Sequence, residues 1–317
     1  MSAADRRWAA FRYLGPNWYA AIMGTAIIPG AGITLPHQFP GALRVWQVFA
    51  VLAFLELVAL VVARGIHWYF HSDQARADLL NPTVAPFYAC ISLAFLATGL
   101  ICYTVGHTFL PDGLALGLSA TLWTIGTVVG LVCAVGLTLL MIIKHDLSII
   151  GQSPAWLLPP TGTMVSAAFA LPLLQHLHPG QGKALFVICL YAMFGLDLLM
   201  TIVVLPLVLQ RLFVHGPLPI QAMPILFIGI APFGQGVNAL GNLGDQATQA
   251  GLPAPFDTGL QTLSIVAGMS VISHHTGIEA LGWFTVAMYV GLCALFLYTW
   301  PQTFWGLVKR RLPAAPA

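Results

Sequence analysis

Residues 45–63 read VWQVFAVLAFLELVALVVA, closed off by Arg44 on one side and Arg64 on the other, with Glu56 as the one charge between them. A helix needs about 20 mostly apolar residues to cross the ~30 Å hydrocarbon core of a bilayer. This stretch meets that length. It reads as a membrane span, and the rest of the chain can be measured against it.

Charged residues make up only 7% of the 317-residue chain and hydrophobic ones 58%, with a mean hydropathy of +0.86. A soluble domain carries about 25% charged residues because its whole surface faces water. This chain needs lipid as its solvent. Apolar segments follow at 14–34, 42–64, 83–105, 115–143, 159–177, 183–211, 219–240, 258–275 and 279–308, nine by this count. No linker divides them, so a single transmembrane domain over 14–308 is expected, between a tail at 1–13 and a basic tail at 309–317. The net charge of +2 gives no footing for nucleic acid. Cys90, Cys102, Cys133, Cys189 and Cys293 form no CxxC, which indicates neither a metal site nor a disulfide framework.

Lys and Arg favour the cytoplasmic ends of spans. With Arg6, Arg7 and Arg12 inside, the even-numbered loops hold Arg64, Arg76, Lys144 and Arg211, whereas the odd ones up to the seventh span hold Arg44 and Lys183. An N-terminus in the cytoplasm and a multi-pass protein of the cell membrane are expected. Arg6 and Arg7 precede a long apolar run without a clear cleavage site, so that run reads as an uncleaved first span. The tail Lys309-Arg310-Arg311 belongs inside as well, which requires an even number of crossings. Nine segments do not supply one; either a segment dips in without crossing or a helix lies within 241–258.

Prolines fall within or at the start of the odd-numbered spans: Pro29, Pro86, Pro160 and Pro232. Each removes an amide donor and can break its helix, and broken backbone is tolerated in a bilayer only where protein buries it or water lines it. Half-helix N-termini suit an anion without a full positive charge. The expected path therefore runs between odd-numbered helices; plain kinks for packing are the alternative. Its expected lining is Asn17, Thr25, Pro86, Phe87, Pro160, Thr161, Pro232, Phe233 and Gln235, through bends, hydrogen bonds and aromatic narrowing. Glu56 and Asp197 lie inside even-numbered spans, either as proton-coupling carboxyls or as packing residues. Small residues at Gly113/Gly117 and Gly126/Gly130 suggest close helix packing. GxxxxGK[ST], HExxH and catalytic GxSxG motifs are absent, so no enzyme activity and no cofactor is expected. The rival reading is a membrane haem protein or intramembrane enzyme built on the ten histidines.

Gly15-Pro16-Asn17-Trp18-Tyr19-Ala20-Ala21-Ile22-Met23-Gly24-Thr25 resembles the opening signature of the tellurite-resistance/dicarboxylate transporter family, which includes C4-dicarboxylate carriers, sulfite exporters and slow anion channels. Asp78-Leu79-Leu80-Asn81-Pro82, Pro154 to Pro160, Arg211 to Pro219 and Pro224 to Gln235 resemble further family motifs in the same order, with Asn81 where the family has His. The resemblance covers 14–240. It implies an all-α hairpin bundle of about ten helices around a central path lined by odd-numbered helices. It also implies transport of a small anion, such as malate, sulfite or tellurite, with the bilayer and a possible homo-oligomer as partners. The family's gating phenylalanine has no counterpart here; Trp283-Phe284-Thr285 is a partial echo.

Overall fold

The computed structural model describes residues 11–144 and 151–252. Among these every regular element is helical. The α-helices are α1 Tyr19–Gly32, α2 Ala42–Phe70, α3 Ser72–Leu80, α4 Ala89–Thr104, α5 Asp112–Ile143, α6 Leu158–Ala168, α7 Leu171–His176, α8 Gln181–His215 and α9 Ala231–Gln249. Six continuous stretches are long and apolar enough to span a bilayer: Ala42–Phe70, Ala85–Thr108, Asp112–Ile143, Pro154–His176, Gln181–His215 and Ala222–Gln249. They are the second to seventh segments read from the sequence. The first, α1, has only 14 residues. The segments at 258–275 and 279–308, the basic tail and Trp283 lie outside the described residues.

The seventh span differs from its sequence reading. It runs on to Gln249 as one helix, so the polar stretch after 240 extends that span and holds no separate helix as far as it is described. Gly251, at φ 73°, then turns the chain away in the left-handed conformation that glycine adopts without strain.

Burial separates inner from outer helices. The third and fifth spans are 67% and 89% buried, against 22%, 39% and 17% for the second, fourth and sixth. Every residue of α6 is buried. By contrast α2 buries one stripe (Ala42, Trp46, Ala50, Ala53, Leu57, Arg64, His67), while Val48, Leu55 and Val62 on its other sides are exposed. The buried stripe of α8 runs Lys183, Val187, Leu190, Asp197, Thr201, Val208, Arg211, with Phe194 and Val204 half-buried in step. Spacings of three and four keep each stripe on one helix face. The seventh span is odd-numbered, yet little of its most apolar part is buried, and its buried residues lie in α9, from Pro232 to Ala247. It packs on α6 and α8, and its exposed positions include Asn238, Asp245 and Thr248.

Lipid tails are as apolar as leucine, so these helices are held by close packing and hydrogen bonds between them. Ser92 Oγ of α4 donates to the Gly126 carbonyl of α5 at 2.7 Å. Trp123 Nε1 donates to the Ser166 carbonyl at 2.9 Å, and the Thr127 hydroxyl reaches Ser166 Oγ at 3.0 Å. A Cβ on Gly162 would lie 2.8 Å from Ser92 Oγ and 3.0 Å from the Gly130 Cα. Gly126 and Gly130 are therefore close-packing glycines, as the sequence suggested. Gly113 and Gly117 meet nothing within 4 Å and are not. Gly162→Ala is expected to lower stability by about 1–3 kcal/mol through overpacking, and Gly117→Ala to leave it nearly unchanged. Thermal unfolding of the purified variants in detergent measures both.

Candidate functional site

The odd-numbered spans share one way of starting. Each passes through a 3-10 turn before its α-helix: Pro16–Trp18 into α1, Ala85–Tyr88 into α4, Pro154–Leu157 into α6, and Ile220–Ile230 into α9. The four lead-ins pack in order, the first on the second, the second on the third and the third on the fourth. Four helix N-termini, each carrying roughly +0.5 of an elementary charge, thus gather at one face of the bundle. The second, fourth and sixth spans begin at the opposite face and end at this one.

The prolines fall within or at the start of these spans, as their positions in the sequence indicated. Pro86 stands at the second position of its 3-10 lead-in, where its missing N–H has no partner to lose; Pro160 and Pro232 stand in the first turn of α-helices that continue their lead-ins. They start helices and break none; Pro29 alone of the four lies inside one. The break in the fifth span comes later, between Ala168 and Leu171. Pro172 has no N–H to offer the carbonyl four residues back, which is that of Ala168. Asn242 of α9 takes its place, donating from Nδ2 to the Ala168 oxygen at 2.9 Å.

The residues expected to line a path fall as follows. Asn17 is exposed in the first lead-in; Pro86 is buried and Phe87 half-buried in the second. Thr25 and Thr161 are buried, but each hydroxyl donates to its own helix, Thr25 to Ala21 at 3.1 Å and Thr161 to Leu157 at 2.5 Å. An anion needs donors, and these two are already committed. Pro160 and Pro232 are buried, Phe233 is 55% exposed, and Gln235 is half-buried with its Oε1 enclosed and unpaired. Across the α1–α2 contact the half-buried Glu56 carboxyl meets the Thr25 hydroxyl. Asp197 is fully buried, and neither carboxyl oxygen has a hydrogen-bond partner among the described residues. One turn before it on the same stripe, Phe194 packs beside Gly236 of α9, with Met164 of α6 at the same spot.

At the face with the lead-ins lies a buried polar cluster that sequence reasoning missed. Arg64, 4% exposed, donates to the Leu14 carbonyl and, at 2.7 Å, to the Tyr88 hydroxyl. Tyr88 passes its own proton to the Ala75 carbonyl at 3.0 Å. His67 Nδ1 meets the Phe11 carbonyl at 2.8 Å, and Asp78 stands 4.0 Å from both Arg64 and His67. The cluster ties the start of the first and third spans to the end of the second and to α3. Farther out, Arg12 pairs with Asp73 at 2.7 Å. The Gln74 backbone N–H, and then Arg12, hold the exposed Asp73 carboxyl below its ordinary range. The sequence signal was available in principle, since Arg64 and His67 fall at stripe spacing on α2, with His71 just past its end. Among the described residues no group of three His, Cys, Asp or Glu side chains is placed to hold a metal ion.

Long apolar helices, with the third and fifth spans innermost, define a multi-pass α-helical membrane protein. Residues 13–308 match the voltage-dependent anion channel family (SLAC1), and the chain belongs to that family. The match extends the motif resemblance past residue 240 to 308, across the stretch where the helix count fell short. An uncharacterized transporter of Methanocaldococcus jannaschii is 25% identical over 260 residues, 81% of this chain and 72% of that protein. Sulfite efflux pumps of Trichophyton rubrum and Arthroderma benhamiae are 27% and 26% identical over 240 residues, 75% of this chain. The chain covers 63% of the length of each pump.

Two stability predictions follow from the geometry. Asn242→Leu leaves the buried Ala168 carbonyl unpaired and is expected to cost about 1–3 kcal/mol. Tyr88→Phe strips a partner from both Arg64 and Ala75, with a loss of the same order, whereas Arg12→Ala, at an exposed pair, leaves the melting temperature where it was. Thermal unfolding of the three variants side by side checks the ranking.

Proposed function

We propose that this protein carries small anions, oxyanions such as sulfite or tellurite and small carboxylates such as malate, along a path between its odd-numbered helices. The gathering of four N-termini at one face carries the reading. A helix N-terminus attracts an anion through its dipole and free N–H groups, without the tight hold of a fixed cation. The outer helices end at the same face, where their C-terminal dipoles would repel an anion. Each, however, carries a cation toward that end, Arg64 six residues before the end of α2, Lys144 at the C-cap of α5 and Arg211 four residues before the end of α8, which weakens that repulsion. The result is a positive mouth that concentrates anions at one end of the path. By the distribution of Lys and Arg this mouth faces the cytoplasm. Asn17, Phe87 and Gln235 are the proposed lining near it, and sulfite, the solute named for the fungal relatives, is the first to try.

A second reading, a proton-coupled carrier, is favoured by Asp197, buried without a partner among the described residues. Glu56, touching Thr25, is the other candidate for coupling.

Purified protein in a planar bilayer, under opposed gradients of chloride, sulfite and malate, should give a current whose reversal potential follows one anion. No current, with labelled solute still entering proteoliposomes under a pH gradient, would transfer the case to the carrier. There, Asp197→Asn should abolish pH-driven uptake while binding persists, and unchanged uptake removes Asp197 from the coupling. Neither current nor uptake would sink anion transport itself.

A further inference from the structure

A cavity of about 230 Å³ lies between α2, the end of α4 and the start of α5. Its walls include Ala50, Val51, Leu55, Cys102, Phe109 and Leu118, all apolar. Val51, Leu55 and Phe109 are 44%, 58% and 45% exposed, so the cavity opens outward on the side that α2 turns to lipid. An apolar space of this kind holds no water. In a bilayer the chemistry that fills it is hydrocarbon.

A headgroup anchor stands above it. Arg44, Val48, Val51 and Leu55 follow at spacings of four, three and four, one line along the surface of α2. Arg44 is exposed, and its guanidinium makes no hydrogen bond or ion pair with a described residue. Seven residues of helix put it about 10 Å nearer the helix start than Val51. The polar layer of a bilayer is roughly 5–8 Å deep on each side, so a phosphate beside Arg44 leaves the following methylenes level with the cavity. Gln47 fixes the rim by donating to the Thr108 hydroxyl at 2.9 Å. Arg44 is also one of two cations in the loops where the positive-inside pattern leaves cations scarce.

We infer that this groove is a binding site for one anionic phospholipid, its acyl chain in the cavity and its phosphate on Arg44. The site is separate from the anion path and does not depend on it.

The test uses the full chain in phosphatidylcholine vesicles carrying a trace of phosphatidylglycerol, or of phosphatidylcholine, with a photoreactive diazirine on its acyl chain. After illumination, labelled positions are mapped by peptide mass spectrometry. Phosphatidylglycerol should label 50–55, 101–110 and 118 well above 196–203, an equally lipid-facing stretch of α8. Arg44→Gln should lower that capture about fivefold, the worth of one basic residue at an anionic surface. Val51→Trp, which fills the mouth from the lipid side, should abolish it. Labelling spread evenly over α2 and α8, or capture indifferent to Arg44→Gln in protein with an unchanged melting temperature, overturns the proposal.

Discussion

In hydrocarbon no water is present to complete a hydrogen bond, so every backbone group that a span leaves open has to be closed by the protein itself. The fifth span shows what this demands. It is the most enclosed element, yet it carries Pro172 and is broken before it. The break is tolerable because Asn242 reaches across from α9 to the freed carbonyl. Other carbonyls of the same span are taken too: Leu157 by Thr161, Pro160 by Thr163, Gly162 by Ser166 and Ser166 by Trp123. The position of α9 against α6 is thus fixed by a polar contact as well as by packing.

That closure has a consequence for an anion. The hydroxyls of the inner helix are directed into its own backbone, so they present lone pairs, which repel negative charge. Attraction has to come from where backbone donors are unpaired or cations stand, and in this bundle both lie at the helix ends. Among the described residues the midsections of the spans hold no lysine or arginine; Arg64, Lys183 and Arg211 are near the ends of α2 and α8. On the proposed function, such a distribution would draw anions to a mouth and hold them weakly beyond it, the balance that throughput requires.

Much of the fold was legible because apolarity is a local property. The second to seventh spans fall within a few residues of their sequence limits, apart from overruns at the ends of α2 and α9. Those two run past the apolar boundary into His67 and Asn242, polar residues that tertiary partners accommodate. What stayed illegible depends on partners far apart in sequence. Asn242 and Ala168 are separated by 74 residues, and nothing near either one announces the other. Arg64 was legible as a marker of orientation but not as the centre of a buried cluster, which takes Leu14, Tyr88 and Asp78 from three other segments. Gly117 and Gly130 look alike in sequence; only the neighbouring helix distinguishes the open one from the packed one. Whether Pro86, Pro160 and Pro232 stand within or at the start of their helices was left open, because apolar windows do not reveal where, inside a run, the α-helix begins.

The two intramembrane acids sit in different surroundings. An ionised acid at mid-span costs about 2.5–3.5 kcal/mol on insertion scales, so its presence calls for a compensating contact or a use. Glu56 is half-buried with Thr25 beside it, and its Oε2 is enclosed with no hydrogen-bond partner among the described residues. Asp197 occupies a stripe position where Val187, Leu190 and Val208 are the pattern, with Thr201 one turn on and also unpaired. On the carrier reading proposed above, Asp197, fully buried with both oxygens unpaired among the described residues, is the first of the two to test.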